Sequence, residues 1–171
     1  MRTKFDPNEI ISCDDHAEIV LYDVRNEEKA RAVIDIDRVN DITGVKWYQR
    51  PDGYVATSNY RGCGYRYLHS ILLGKEGRDL YVDHRDRDRL NNRKSNLRIA
   101  TPSQNGMNKN IRSNNTSGRV GVHWSSSNKK WCAMIGGNGQ HTNLGYFDDF
   151  DDAVACREAA ERERFGEFKP E

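Results

Sequence analysis

The sequence has little apolar material and no long apolar run. Hydrophobic residues make up 36% of its 171 residues and charged residues 31%. No stretch reaches the roughly 20 apolar residues that a membrane-spanning helix needs, and the amino terminus lacks the apolar segment of a signal peptide. These absences predict a cytoplasmic protein built from small cores joined by polar linkers.

Paired cysteines are missing as well. The chain contains Cys13, Cys63, Cys132 and Cys156, and they form no Cys-x-x-Cys pair. The spacing therefore gives no sign of a structural zinc site. We expect reduced, partly buried thiols.

An even distribution of charge is also missing, although the net charge is only +1. Residues 59–120 carry 13 Lys/Arg against 5 Asp/Glu, whereas residues 1–58 and 121–171 have net charges of −4 and −3. A basic middle third suits a polyanion such as nucleic acid. The alternation of Arg and Asp at 85–89 fits a solvated charged face equally well.

The apolar patterns predict an α+β protein. Two segments are ambiguous, since 26–31 fits a long turn or a helical start and 65–74 fits a strand end or a short helix. Thr101, Pro102 and Gln104 predict a helix that starts with a capping box. The predicted strands are 18–22, 32–36, 47–50, 54–57, 81–84, 96–100, 120–124, 131–135 and 143–147, and the predicted helices are 102–109 and 150–165.

Residues 82–105 carry the strongest functional pattern. They read Val-Asp-His at 82–84, Asn-Asn-Arg-Lys-Ser-Asn-Leu-Arg at 91–98, Ala-Thr at 100–101 and Gln-Asn at 104–105. Over about residues 45–110 the chain resembles the HNH endonucleases. More narrowly, it resembles the phage- and intron-borne homing type, in which Asp-His replaces the His-His pair. The resemblance implies a ββα-metal module that hydrolyses phosphodiester bonds in double-stranded DNA.

The resemblance also implies roles for four residues. His84 is the expected general base, Asn96 its orienting partner, and Asp83 and Asn105 the metal ligands. Oxygen ligands favour Mg²⁺ or Mn²⁺ over zinc, and an imidazole that titrates near neutrality suits a general base. Alternatively, Asn96 only forms a turn. His69, in Leu-His-Ser where the family often has Leu-His-Arg, either binds a phosphate or packs between strand and helix.

Residues 116–166 resemble a second family, the APETALA-type domain of plant ethylene-response factors. The matching residues are Gly-Val at 121–122, Lys-Trp at 130–131, Ala133, Leu-Gly-Tyr-Phe at 144–147 and an Ala-rich helix that holds Ala153. This resemblance implies a three-stranded sheet in the major groove with a helix behind it. Positions where the plant pattern carries arginine hold Val120, His123, Met134 and Gly136, so DNA contacts must differ from that pattern.

Contacts to DNA are expected in both halves of the chain. The candidate residues are Arg93, Lys94, Lys109, Arg112, Arg119, His123 and Lys130. Asn91 and Asn92 are expected to shape their loop, although either could reach a phosphate. Trp131 is expected in a core under the helix, whereas Trp124 fits either a core or a DNA contact.

The patterns divide the chain into four parts. We expect a β-rich scaffold at 1–60, the nuclease module at 61–110, a linker at 111–117 and the APETALA-type domain at 118–171. The linker either follows a DNA groove or is a free tether.

The expected function is that of a metal-dependent endonuclease of a bacterium or phage-infected cell, site-preferring like a homing endonuclease. Two alternatives stay open. One is a DNA-binding regulator with a decayed nuclease, and the other is a less specific phage or defence nuclease.

Overall fold

The computed structural model describes residue 3 and residues 6–74, 81–108, 115–137 and 140–168. The chain forms two units, residues 1–100 and residues 101–171. The sequence instead predicted boundaries near residue 60 and at 111–117. The packing of the first unit explains part of this difference.

The described part of the first unit contains small antiparallel sheets and two short helices. β1 (Ile10–Ser12), β2 (His16–Tyr22) and β3 (Glu28–Asp35) form one sheet, β4 (Tyr48–Gln49), β5 (Val55–Thr57) and β6 (Arg66–Tyr67) form another, and β7 (Tyr81–His84) pairs with β8 (Leu97–Ala100). A 3₁₀ helix (Ile36–Arg38) leads into α1 (Val39–Ile42), and α2 (Leu68–Leu72) directly follows β6. The ambiguous segment 65–74 thus contains both a strand end and a helix.

The interpretation of residues 26–31 as a long turn or helical start is wrong from residue 28 onward. Glu28 already pairs with Tyr22, and the β2–β3 ladder continues from there without a helix. Ala30 and Ala32 oppose apolar residues of β2. Cross-strand packing therefore outweighs the weak strand propensity of alanine and glutamate.

One hydrophobic core joins residues from both sides of the boundary predicted at residue 60. Ile19, Ile34 and Trp47 lie buried in this core together with Val82 of β7 and Leu97 of β8. Burial of an aliphatic side chain stabilises a fold by about 1.5–3 kcal/mol. The β-rich region and the β7–β8 hairpin consequently form a single unit.

The second unit contains the predicted three-stranded sheet and both predicted helices. β9 (Val122–Ser125), β10 (Lys130–Gly137) and β11 (Gln140–Phe147) are antiparallel in the order β11-β10-β9. The helices are α3 (Pro102–Met107) and α4 (Phe150–Phe165), and a 3₁₀ helix (Gly166–Phe168) follows. The predicted strands are confirmed, except that β10 continues through the glycines at 136–137, where a turn was predicted.

Both helices of the second unit begin at capping residues. Gln104 N–H donates to Thr101 Oγ1, and Thr101 N–H donates back to Gln104 Oε1, so the predicted capping box is confirmed. Asp149 caps α4 by accepting from the backbone N–H of Asp151 at 2.7 Å. None of the helices in the described ranges is long and apolar enough to cross a membrane.

A small core lies between α4 and the sheet. Val122, Ala133 and Ala153 are buried there, and Trp131 packs against them. The ring of Trp131 meets that of Phe150 edge to face at 4.8 Å, which confirms its predicted place under the helix. The four cysteines are free thiols, as predicted, although Cys63 is exposed.

Candidate active site

The β7–β8 hairpin carries two of the predicted site residues. Asp83 opposes Arg98, and His84 opposes Leu97, in antiparallel register. These four residues are only 3–7% exposed. The register therefore brings polar groups of both strands into a buried environment, where each of them needs a partner.

Arg98 is the partner of Asp83, and the sequence interpretation missed it. Its Nε and Nη2 atoms lie 2.8 and 2.7 Å from Oδ2 of Asp83. A buried carboxylate is costly without a countercharge, so Arg98 both compensates and positions it. Both strands were predicted from the sequence, and pairing them antiparallel would have placed Arg98 opposite Asp83.

His84 lies between polar and aromatic neighbours. Its Nε2 atom is 3.3 Å from Oδ1 of Asn92, and its ring centre is 5.8 Å from that of Tyr54 and 5.4 Å from that of His69. Burial lowers the pKa of His84, because it disfavours the charged imidazolium. The hydrogen bond with Asn92 and the nearby aspartates favour the charged form, but by less. The imidazole is therefore neutral near pH 7.

The rings next to His84 form an aromatic cluster, which we define as Tyr54, Tyr67, His69 and His84. Tyr67 stacks on His69 at 5.1 Å, and Tyr54 meets His69 at 5.2 Å. His69 is 7% exposed, which agrees with its packing alternative. Tyr54 belongs to the region expected to be only a scaffold, so that region contributes directly to the surroundings of His84.

Asn96 ties together the loop between β7 and β8. Its Oδ1 accepts from the backbone N–H of Asp86 at 3.0 Å, and its Nδ2 donates to Asp86 Oδ1 at 2.8 Å and to the Asn91 carbonyl at 2.7 Å. Asn92, rather than Asn96, makes the hydrogen bond with His84. An orienting role for Asn96 would act through this loop, and it stays a prediction.

The same loop is docked on the edge of β3. Val33 N–H donates to the Leu90 carbonyl, and Asn92 N–H donates to the Val33 carbonyl, both at 2.8 Å. Asn92 is 1% exposed, and its Nδ2 donates to the carbonyls of Arg89 and Leu90 at 3.2 and 3.0 Å. These contacts fix the orientation of the amide that faces His84.

Near the hairpin, the predicted DNA contact Arg93 pairs with carboxylates through its side chain, whereas Lys94 binds one through its backbone. Arg93 lies 2.7 Å from Asp15 and 3.7 Å from Asp35, and the backbone N–H of Lys94 donates to Asp35 at 2.6 Å. Hydrogen bonds from His16 and then Arg93 lower the pKa of Asp15 to about 2. The other two predicted contacts in the basic segment, Lys109 and Arg112, lie outside the described residues.

The predicted DNA contacts of the second unit differ in their surroundings. Arg119 lies 2.6 Å from Glu161, which gives its guanidinium a structural role. Lys130 lies 3.0 Å from the exposed Asp148, whereas His123 is exposed on β9. Their contacts with DNA stay predictions.

The predicted metal ligands provide one carboxylate and one amide oxygen. Asn105 lies in α3, within the second unit, and its approach to Asp83 stays a prediction. In the part of the chain that the structure describes, no three His, Cys, Asp or Glu side chains cluster to hold a metal. Hard oxygen donors of this kind fit Mg²⁺ or Mn²⁺, which retain several waters, rather than structural zinc.

Comparison with known proteins identifies the family. Residues 73–107, which include the β7–β8 hairpin, match a family described as HNH endonuclease. The chain is 32% identical over 139 residues to "Uncharacterized HNH endonuclease L560" of Acanthamoeba polyphaga mimivirus, covering 80% of this chain and 72% of the relative. The chain belongs to the HNH endonuclease family. It is therefore a DNA endonuclease, and HNH nucleases generally depend on a divalent metal ion.

A second viral protein is similar to this HNH endonuclease. "Protein 3.8" of Escherichia phage T7 is 34% identical over 88 residues, which cover 52% of this chain and 72% of the relative. No solved structure matches the chain.

Proposed function

We propose that this HNH endonuclease hydrolyses double-stranded DNA at preferred sites, in the manner of a homing endonuclease, with His84 as general base and Mg²⁺ or Mn²⁺ as cofactor. The observation that carries the proposal is a buried imidazole next to a fixed carboxylate, inside the segment that matches the family. Burial lowers the pKa of His84 and so favours its neutral form. A neutral imidazole is the form that accepts a proton from water.

The contact with Asn92 indicates which nitrogen of His84 acts. The Nδ2 of Asn92 donates to two carbonyls, so its oxygen faces His84 and can only accept. The Nε2 atom of His84 then carries the proton, and Nδ1 is the basic nitrogen of this tautomer, to which we assign the proton of the attacking water. One hydrogen bond thus selects the tautomer of the base.

Asp83 and Asn105 would hold the divalent ion. When bound, such an ion neutralises charge on the scissile phosphate and stabilises the departing oxygen. Arg98 keeps the carboxylate of Asp83 in one place through Oδ2. A carboxylate fixed in this way loses little conformational entropy when it acts as a ligand.

Plasmid cleavage with Mg²⁺ tests this function. His84→Ala is expected to lose roughly 10²–10⁴ in cleavage rate, the range for a general base, and to retain DNA binding. EDTA should abolish cleavage, and added Mg²⁺ or Mn²⁺ should restore it. Cleavage by His84→Ala at the full rate, or full activity in EDTA, would refute the proposal.

We also propose that residues 118–171 form the DNA-reading domain of APETALA type, connected through residues 111–117 to a nuclease module at 61–110 that shares its core with the β-rich region. The antiparallel sheet with α4 packed on it supports this proposal. His123 and Tyr146 both oppose Cys132, so they share the face away from Trp131, and both are exposed. The double variant His123→Ala/Tyr146→Ala should cleave with loosened site preference, measured by sequencing the ends cut from a DNA library.

A less specific viral nuclease is the second candidate, because both relatives come from viruses. The same sequencing separates the two functions. Ends concentrated at one long site favour the homing type, whereas ends scattered over many sequences favour a processing or defence nuclease.

A further inference from the structure

Arg89 lies against one of the aromatic rings around His84. Its guanidinium carbon lies 4.5 Å from the ring centre of Tyr54, and the same Tyr54 ring lies 5.8 Å from the ring of His84. Tyr54 therefore contacts both the arginine and the proposed general base. A stacked guanidinium keeps its planar donors available at its edge.

Two further contacts fix Arg89 across the turn between β4 and β5. Its Nη1 donates to the carbonyl of Asp52. Its side chain passes so close to Gly53 that a Cβ there would lie 3.3 Å from Cδ of the arginine. Gly53 has a φ of 87°, so this turn favours glycine both for its conformation and for the passage of Arg89. The guanidinium of Arg89 is thus held by the Asp52 carbonyl, which lies 37 positions earlier in the sequence.

In the part of the chain that the structure describes, no ion pair compensates the charge of Arg89. Arg89 is exposed, and among the described residues no carboxylate lies within 4.0 Å of its guanidinium, whereas Arg93 and Arg98 both pair with aspartates. The nearby carboxylate of Asp52 pairs with Arg50 at 3.0 Å instead. A fixed, exposed and unneutralised guanidinium is suited to bidentate binding of a phosphate.

We propose that Arg89 binds a phosphate of the DNA strand that is cut beside His84, and that Tyr54 and the Asp52 carbonyl position its guanidinium for this contact. The proposal deepens the function proposed above and rests on His84 as the catalytic centre. It assigns the β4–β5 turn, which belongs to the supposed scaffold, a part in holding the substrate. Because the arginine is held in advance, little side-chain entropy is lost on binding.

Neutralising single phosphates identifies the contact. The wild-type cleavage site is first mapped on a plasmid, and a synthetic duplex containing it is then made with one methylphosphonate at each position around the cut. Arg89→Gln should slow single-turnover cleavage of the unmodified duplex by about 10- to 100-fold, as for loss of a charge-assisted hydrogen bond. One methylphosphonate should slow the wild type similarly and leave the rate of Arg89→Gln unchanged.

Matched variants separate this contact from a general effect of charge. Arg25→Gln removes the same charge from an exposed arginine in the turn between β2 and β3, and it should keep wild-type cleavage and full sensitivity to the methylphosphonate. The slope of log affinity against log salt should fall by about 1 for Arg89→Gln, as expected for one lost phosphate contact. Arg89→Lys keeps the charge without the planar fork, so it should give an intermediate rate.

Several results would overturn the proposal. One is an Arg89→Gln rate within about twofold of that of Arg25→Gln, well below the loss expected for a charge-assisted contact. Another is a methylphosphonate profile that is identical in Arg89→Gln and the wild type. Circular dichroism and urea unfolding check that Arg89→Gln is folded. If it is not, the methylphosphonate profile of Arg89→Lys is compared with that of the wild type instead. If His84→Ala cleaves normally, the proposed catalytic centre fails, whereas loss in His84→Ala with no effect of Arg89→Gln refutes only the role of Arg89.

Discussion

The Oδ1 atom of Asn92 lies 3.3 Å from Nε2 of His84. Two carbonyls of the loop fix the Asn92 side chain by accepting hydrogen bonds from its Nδ2. Its backbone N–H donates to the carbonyl of Val33 in β3. The orientation of the imidazole therefore depends on a loop that is anchored on a strand far away in the sequence.

Asn92→Ala is expected to slow cleavage and also to lower the free energy of unfolding, since the carbonyls of Arg89 and Leu90 lose their donor. It removes the acceptor that selects the tautomer of His84, so we expect a loss of about 10-fold in rate, the size of one hydrogen bond to a reacting group. Asn96→Ala should mainly lower the free energy of unfolding, by roughly 1–3 kcal/mol, because Asp86 and Asn91 lose their partner. Single-turnover cleavage and urea unfolding of both variants measure the two effects. Normal cleavage by Asn92→Ala, with slow cleavage by a fully stable Asn96→Ala, would support the orienting role inferred for Asn96.

Local signals in the sequence predicted the secondary structure well. The capping box at Thr101, the run of β-branched and apolar residues in β2 and the charge order of α4 each depend on neighbours within a few positions. Elements of this kind are specified by periodicity and capping. The prominent pair Asp83-His84 was found through its match to a family pattern.

The contacts of the site depend on tertiary packing instead. Asn92 faces His84 because the loop docks on Val33, and Tyr54 reaches the same histidine from a hairpin 30 positions earlier. No periodicity reports contacts at such a distance in sequence. The contact of Arg98 could have been predicted from the sequence, since an antiparallel pairing of the two predicted strands places it opposite Asp83.

The Asp83–Arg98 pair provides a second prediction, about stability. Arg98→Met should lower the free energy of unfolding by about 3–5 kcal/mol, because it leaves a buried carboxylate without its partner. The double variant Asp83→Asn/Arg98→Met removes both charges and should recover much of the loss. Urea unfolding of the wild type, both single variants and the double variant measures the coupling. Additive losses in the four proteins would show that the pair does not act as a unit.

Asp15 offers a prediction of pH dependence. Hydrogen bonds from His16 and Arg93 lower its pKa from 3.8 to about 2, so its folded form favours the charged carboxylate. The stability that it contributes is complete above pH 3.8 and is lost as the pH falls toward about 2. Arg93→Gln should raise the pKa of Asp15 only part of the way to 3.8, since His16 remains. Titration of the Asp15 carboxyl carbon by NMR measures both values.

The same carboxyl carbon tests at neutral pH, where duplex DNA is intact, whether Arg93 contacts DNA. If Arg93 leaves Asp15 for a phosphate, saturating DNA should move the NMR signal of the Asp15 carboxyl carbon in the wild type toward its position in Arg93→Gln. The signal of Arg93→Gln should change less on addition of DNA. A wild-type signal that is unchanged by DNA would show that Arg93 stays with Asp15 in the complex.

Glu161 provides the last prediction, which concerns the second unit. Its carboxylate lies 2.8 Å from Nε of Arg157 and 2.6 Å from Nη2 of Arg119, and its side chain is 4% exposed. Glu161→Ala leaves the buried Arg157 uncompensated, so it should destabilise the second unit by about 3–5 kcal/mol. The matched variant is Glu158→Ala, whose exposed carboxylate lies 3.8 Å from Arg119; such surface pairs contribute about 0–1 kcal/mol.

Amide hydrogen exchange at β9, β10 and β11 locates this effect. Glu161→Ala should speed exchange in the sheet, whereas the buried strands of the first unit, such as β2, should keep their protection. If the sheet reads DNA as proposed, and α3 still presents Asn105 to the metal, the same variant should scatter its cleavage sites while His84 continues to cut. Loss of all cleavage together with an intact β2 would mean that α3 unfolds with the sheet, so that Asn105 no longer serves as a metal ligand.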